Sequence, residues 1–423
     1  MGFNEAEDKS LRVAIVHYWF VRNGGGERVV EALAEMFPQA DLFCLFAEPE
    51  TMTPRLRSHR LTTSFLQRIP GGRRWYKQLL PLHPLAIEQL DVSKYDLILS
   101  SESGSAKGVL PAPDACHICY CHTPMRYLWD LYPLYRRAMQ PLAGTAFALT
   151  AHYLRMWDLA SANRVDHFVA NSHNVAARIR RHYRRDATVV YPPVDVSSGY
   201  LSERTDEYYL VVSRLIDYKR VDLAIEACNR LNRPLRVVGD GDQYKYLRKL
   251  AGPSIKFLGR LDDEAVRENY ARCRALLFPG EEDFGIVPVE AQSFGRPVLA
   301  YGRGGVLETV QGLMTGDALN VEGATGVFFA EQTADSLVEA IEFFESVESR
   351  FSPSFIRHSV ERFDTSRFKS AMTDFIDRSL ELRRMSHSPV QIDSKSDEVV
   401  VSKVPRMRKA ENGDRDEQVI RSR

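Results

Sequence analysis

Apolar positions along this chain fall in short runs, separated by longer stretches with helical spacing. Residues 11–16, 41–46, 96–99, 115–121, 167–170 and 188–191 each read as a buried strand. Among the helices between them, residues 27–37 place Val29, Val30, Leu33, Ala34 and Phe37 on one face. Further helices are predicted over 75–90, 145–162 and 174–183. At Tyr191-Pro192-Pro193-Val194-Asp195 the alternation stops, and two prolines fix an extended connector. Strands then resume over 208–213, 235–238, 255–258, 275–278 and 298–300, again with helices between. The final helices are expected over 334–348, 354–363 and 365–384. This alternation predicts an α/β protein of two Rossmann-like domains facing a cleft, residues 11–193 and 205–364. The stretch 387–423 is charged and poor in aromatics, so a disordered tail is expected.

Composition narrows the class. The 423 residues are 44% apolar and 26% charged, as in soluble globular proteins. A formal net charge of +0 gives no electrostatic basis for a nucleic-acid partner. Residues 1–195 are the mildly basic part, with 23 basic and 19 acidic side chains. No run approaches the roughly 18 apolar residues of a membrane span, and the acidic N-terminus does not resemble a signal peptide. Six cysteines are too few for a disulfide framework at this length, so a cytoplasmic setting is expected.

The densest chemistry lies at 280–300, GEEDFGIVPVEAQSFGRPVLA. A strand ends at Pro279-Gly280, an acidic loop follows, and a short helix starts with Pro288 in its first turn. Gly295 suits a left-handed stop, and Pro297 blocks continuation. A glycine-containing loop before a helix N-terminus presents N–H groups to an anion. A carboxylate would repel a phosphate, so Glu282 should face neutral hydroxyls, and Glu290, within the helix, a second set. A phosphate between two polyols is a nucleotide sugar.

Glu282 and Glu290, with Phe284-Gly285 between them, resemble the donor-site motif of retaining GT-B glycosyltransferases of family four. The resemblance covers about residues 11–384. It implies that Glu282 holds hydroxyls of the transferred sugar and Glu290 the nucleotide ribose, with Phe284, Gly285 and Ile286 beside the donor. It also implies that helix 365–384 crosses back onto the first domain.

Other motifs are read beside this one. Arg214 and Lys219 lie between a strand and a helix N-terminus, where two cations oppose the helix dipole unless an anion neutralises them. The family places an Arg and a Lys there for the donor diphosphate; a solvated basic turn is the plain alternative. Gly24-Gly25-Gly26 lets a ligand approach backbone N–H groups, or simply makes a tight turn. The resemblance favours a loop between acceptor and donor, with Gly25 and Gly26 at the donor. His122 ends a strand and begins His122-Thr123-Pro124, similar to the family histidine that faces the anomeric region. A satisfied structural histidine is the alternative. Gly302-Arg303-Gly304-Gly305 with Glu308 resembles the family's glycine turn beside the donor sugar, and Gly259-Arg260 a backbone contact to the base.

Three features read as structural. Asp240 and Asp242 form a D-x-D pair, but in a βα turn where Gly supplies positive φ and Asp caps the next helix. Cys116-His117-Ile118-Cys119-Tyr120-Cys121 alternates across a strand, so its cysteines cannot converge on a metal. Ser172 reads as a helix cap. No metal or other cofactor is required, since Arg214, Lys219 and a helix dipole can do the work of a divalent ion. Arg68 to His83 mixes cations with Trp75 and Tyr76, as in an interfacial helix or a solvated one.

The expected activity is retaining transfer of a sugar to a glycan or polyprenyl-linked acceptor, with weak peripheral contact at the inner face of the membrane. The match of HYWF, GGGER and CHTP to bacterial mannosyltransferases of surface polysaccharide assembly points to mannose from GDP-mannose. A UDP-sugar donor, a sugar-nucleotide epimerase, a glycosidase and a non-enzymatic partner-binding protein remain alternatives. A glycosidase needs two carboxylates flanking one bond about 5–9.5 Å apart, whereas Glu282 and Glu290 should address different ends of a long ligand.

Overall fold

The computed structural model describes residues 11–21, 24–72, 74–76, 78–317 and 321–387. The tail expected to be disordered lies outside the described residues, as do Arg73 and Lys77 of the basic-aromatic stretch.

Two parallel sheets organise the chain. The first contains β1 (Val13–His17), β2 (Asp41–Cys44), β3 (Leu61–Thr63), β4 (Leu97–Glu102), β5 (Cys116–Cys121), β6 (His167–Ala170) and β7 (Ala187–Val189). Their order is β3-β2-β1-β4-β5-β6-β7. The second contains β8 (Tyr209–Val212), β9 (Leu235–Val238), β10 (Ile255–Gly259), β11 (Leu276–Phe278), β12 (Val298–Tyr301), β13 (Gly312–Met314) and β14 (Gly326–Phe329). Its order is β10-β9-β8-β11-β12-β14-β13. Helices cover both faces, so β1, β4 and β5 are buried along their whole length rather than alternating. In each sheet the order reverses beside the first strand, between β1 and β4 and between β8 and β11. Such switch points open crevices at the C-terminal strand ends, where ligands bind in this class of sheet.

The chain crosses between the domains twice, and the crossings touch. Val194 N–H donates to the Phe363 carbonyl at 3.1 Å, and Thr365 N–H to the Val194 carbonyl at 3.1 Å. Tyr191, Phe284 and Phe363 pack with ring centroids 5.0–5.7 Å apart beneath this crossing. The last helix, Thr365–His387, then lies on the first domain. Its Phe368, Met372 and Ile376, spaced by one turn, are buried in the core that holds Val13, Ile15 and Leu33.

Several expectations need correction. No helix spans 75–90: a 3₁₀ turn at Leu80–Leu82 precedes a short helix, His83–Glu88. Pro81 and Pro84 lack the N–H groups that a continuous helix would use. The stretch is therefore not an interfacial helix, and Tyr76 turns inward, edge-on to Trp19 at 4.8 Å. Strands β3, β13 and β14 were not expected. The first two are three-residue edge strands, too short for a periodic signal. The helix Tyr244–Leu250 follows Gln243, not Asp242, with no side-chain cap. The turn itself has the expected glycine geometry: Gly239 has φ +127°, and a Cβ there would lie 1.9 Å from the Ser213 carbonyl oxygen.

Two predictions follow from this packing. Met372→Ala removes a fully buried side chain from the crossing helix and should destabilise the protein by about 2–5 kcal/mol. Urea unfolding followed by fluorescence of the first domain checks it; an unchanged midpoint would mean that the helix does not contribute to that core. Second, burial pushes His83 and His117 down to about 4 and His122, with His17 nearby, down to about 3. At neutral pH these rings are uncharged in both states. Below about pH 6.5 the unfolded chain takes up protons that the folded chain refuses. Stability should therefore fall with pH, by about 1.4 kcal/mol per unit for each such histidine. Chemical unfolding at pH 7, 6 and 5 reads the slope, which His117→Gln should reduce by roughly one histidine's share.

Candidate active site

The two switch points face each other, and the residues singled out in the sequence divide between them. On the second sheet, β8 leads into Ser213-Arg214 and a 3₁₀ turn, Asp217–Lys219, ahead of helix Val221–Leu231. β11 leads into Gly280-Glu281-Glu282. The Lys219 ammonium donates to the Glu282 carboxylate, with both side chains largely buried. Burial works against the lysine charge, yet Glu282 and Tyr218 hold its pKa above the usual value. Gly280 permits the approach, because a Cβ there would lie 3.1 Å from the Lys219 backbone. Arg214 is exposed and has no ion pair among the described residues. Its charge acts on Tyr18 and Tyr135 of the first domain, so it faces the cleft.

The loop 281–285 is shaped by β12. Glu282 pairs with Gly304 in a parallel bridge, and Gly305 N–H donates to the Glu282 carbonyl at 2.8 Å. A Cβ on Gly304 would lie 2.5 Å from that carbonyl oxygen, and Gly304 has φ +82°. The glycine turn at 302–305 therefore supports the Glu282 loop directly. Gly285, at φ +96°, caps helix Ile286–Ser293. The Phe284 ring is committed to the hinge cluster, so only its backbone remains for a ligand. Glu290 lies inside the helix as expected. Its two oxygens accept from Arg28 Nη1 at 2.5 Å and Tyr270 Oη at 2.9 Å.

On the first sheet, His17 ends β1 and His122 follows β5. Both rings lie under the glycine loop. A Cβ on Gly26 would be 3.2 Å from Tyr18 Oη and 3.6 Å from His122 Nε2. His122 Nε2 shares a hydrogen bond with Ser101 Oγ at 2.8 Å. Its low pKa keeps His122 a neutral hydrogen-bonding ring. His17 is fully buried, and among the described residues neither ring nitrogen has a hydrogen-bond partner; the Glu27 carboxylate is 3.7 Å away. A Cβ on Gly25 would press to 2.7 Å on Ile286 Cδ1, so the first-domain loop touches the second-domain helix.

Gly259 and Arg260 stand apart. Gly259 ends β10, accepting from Gly239 N–H at 2.7 Å, and Arg260 is exposed. No described contact joins either to the Lys219–Glu282 pair. Asp240 and Asp242 remain in the βα turn. Cys116 and Tyr120 enter one core, and Cys119 and Cys121 another, as strand alternation requires.

Sequence reasoning missed how the domains hold each other. Arg178 pairs with the Asp283 carboxylate and is braced by Asp130 at 3.3 Å. Arg126 donates to the Glu281 carbonyl at 3.2 Å. Ser172 caps its helix as expected, accepting from Val175 N–H at 3.1 Å, and also donates to the Asp283 carbonyl at 2.7 Å. Glu308, read as part of a sugar-side turn, instead accepts from His173 and Asn174 N–H at 2.8 and 2.9 Å. It thus caps a first-domain helix from the second domain, where a carboxylate suits the dipole. The only sequence signal was the arginine-rich run at 178–185, which does not name its partner.

Two family models match adjoining parts of the chain: Glycosyltransferase Family 4 over residues 23–198 and Glycosyl transferases group 1 over residues 198–354. The alpha-1,3/1,6-mannosyltransferase ALG2 of Saccharomyces cerevisiae is 26% identical over 326 residues, 63% of this chain and 61% of the relative. The O-antigen chain mannosyltransferase C of Escherichia coli is 26% identical over 187 residues, 42% of this chain and 48% of the relative. The chain thus spans less than two thirds of each of these relatives. HepE of Anabaena, solved with UDP-glucose, superposes with a TM-score of 0.64 at 17% identity, covering 86% of this chain and 99% of that one. This likeness concerns the fold. The two models, the paired parallel sheets and the facing switch points agree: the chain belongs to the family-four type of GT-B glycosyltransferases.

Proposed function

We propose that this protein is a retaining glycosyltransferase that moves mannose from GDP-mannose to a glycan or lipid-linked acceptor of a surface polysaccharide. The observation that carries the reading is the Lys219–Glu282 pair at the second switch point, with exposed Arg214 beside it. The lysine and glutamate neutralise each other. A nucleotide sugar separates their tasks: Lys219 and Arg214 turn to the diphosphate, and Glu282 to the sugar hydroxyls. As the glycosidic bond breaks, negative charge grows on the leaving diphosphate, where these cations and the loop amides near Gly285 stabilise it. Neutral His122 offers a hydrogen bond from the opposite wall, near the anomeric carbon. Glu290 holds the ribose, sharing its oxygens with Arg28 and Tyr270. Two cations suffice for the diphosphate, so activity should survive EDTA.

The mannosyl assignment leans on the relatives named for mannosyl transfer. A UDP-sugar donor is favoured instead by the fold neighbour solved with UDP-glucose. Incubation with GDP-mannose and with UDP-glucose, followed by product NMR, separates the readings. A new α-glycosidic bond from GDP-mannose supports the proposal. Free sugar points to a hydrolase and an altered donor to an epimerase; either result overturns it. A protein that binds no nucleotide sugar is a binding partner rather than an enzyme.

The residue roles predict a division of effects. Arg214→Ala and Lys219→Ala should each lower kcat/KM by on the order of 10²-fold or more. Glu290→Gln should weaken nucleoside diphosphate and nucleotide sugar alike. Glu282→Gln should leave diphosphate affinity nearly unchanged while lowering turnover. Calorimetry with GDP and GDP-mannose reads the contrast, and equal weakening of GDP by both variants would contradict it.

A further inference from the structure

The longest first-domain helix, Pro141–Ala162, is packed on one side only. Its inner face is anchored firmly. The Asp158 carboxylate pairs with fully buried Lys107 and accepts from Trp129 Nε1 at 2.8 Å and from Tyr183 Oη at 3.0 Å. Ala151 and Leu154 complete the seat. At 100° per residue, positions 142, 146, 149, 153, 156 and 160 fall within a narrow stripe on the opposite face. These are Leu142, Ala146, Leu149, Tyr153, Met156 and Ala160, and all are exposed. Leu142 is 85% exposed, Leu149 72% and Met156 56%. An ordinary surface helix turns charge to water on this face; this one turns an apolar stripe about 27 Å long. Isolated exposed leucines need no explanation, but a continuous stripe marks an interaction surface.

Charge identifies the occupant. From residue 131 to 164 the chain has four arginines, and its one acid is the buried Asp158. Arg136 and Arg137 are exposed on the helix Tyr132–Arg137 that leads into the stripe, next to exposed Leu134, Tyr135 and Met139. Apolar side chains flanked by arginines, with no exposed acid, complement an anionic lipid surface rather than a mixed-charge protein face. Among the described residues no helix is long and apolar enough to cross a membrane, so contact is in the plane of the surface. Position supports the same partner. Tyr135 feels the charges of Tyr218, Arg126 and Arg214, which places this element at the rim of the cleft.

We propose that the outward stripe of helix Pro141–Ala162, with Arg136 and Arg137, seats this protein on an anionic bilayer, with the cleft mouth beside the lipid surface. The membrane contact expected from residues 68–83 thus moves to a different element. Only the orientation of the cleft depends on the proposed transferase activity; the surface itself does not.

Sedimentation of the full chain with lipid vesicles, which needs neither donor nor acceptor, tests this. Vesicles of phosphatidylcholine with roughly one-third phosphatidylglycerol should bind the protein in a salt-sensitive way, and pure phosphatidylcholine far less. The Leu149→Glu/Met156→Glu variant should lose binding by at least about tenfold. Arg136→Glu/Arg137→Glu should weaken it by at least about 25-fold, near fivefold for each cation lost, with repulsion of the two new carboxylates in addition. Both variants alter exposed positions and should keep the parental thermal midpoint; should the first fail to fold, the arginine variant still decides. Parental binding by the arginine variant, or by a folded glutamate variant, overturns the proposal. So does light scattering that shows a dimer which Leu149→Glu splits while vesicles bind nothing, since the stripe would then face a second copy of this chain.

Discussion

A largely buried carboxylate must find a cation, and Asp283 finds its own in the other domain. Burial raises the Asp283 pKa, and Arg126 and Arg178 oppose that rise. Removing one partner from such a pair costs far more than the pair contributes, because an uncompensated charge remains. The loop between β11 and helix Ile286–Ser293 therefore takes its shape with help from arginines that follow β5 and β6. This loop also carries Glu282. The proposed sugar site thus depends on how the two sheets dock, not on the second domain alone.

The rest of the interface follows the same rule. Arg28 reaches Glu290, Glu308 caps the helix that starts at His173, and Ser172 holds the Asp283 carbonyl. Apolar contact between the domains concentrates at the hinge, where Tyr191, Phe284 and Phe363 pack. An interface that is ionic at its mouth and apolar at its hinge can exchange partners at one end while holding at the other. In the proposed reaction, donor hydroxyls and phosphates replace some of these pairings at Glu290, Glu282 and Lys219.

The parallel sheets were legible because a strand buried on both faces leaves an uninterrupted apolar run, as in β1, β4 and β5. Short edge strands such as β3 leave no such mark, and Pro81 and Pro84 interrupt the apolar spacing that resembled a helix at 75–90. Within the site, legibility stopped at local distance. Glu282 and Glu290 are eight residues apart, and strand-loop-helix order fixes their placement. Arg28 and Glu290 are 262 positions apart, and nothing in the spacing of either predicts the pair. The capping role of Glu308 was hidden for the same reason: its partners are N–H groups at the start of a distant helix. The Phe284 ring belongs to the hinge, a role that its position within a donor motif concealed.

Arg178 of the first domain, through Asp283, is expected to hold the loop of Glu282 in shape. Calorimetric titration of GDP into Arg178→Ala, beside the parent protein, reads this at a residue assigned no contact with the donor. GDP affinity should fall by about tenfold or more, since loss of this cation leaves Asp283 only the more distant Arg126 and releases the loop. Unchanged affinity in a folded Arg178→Ala protein would contradict it.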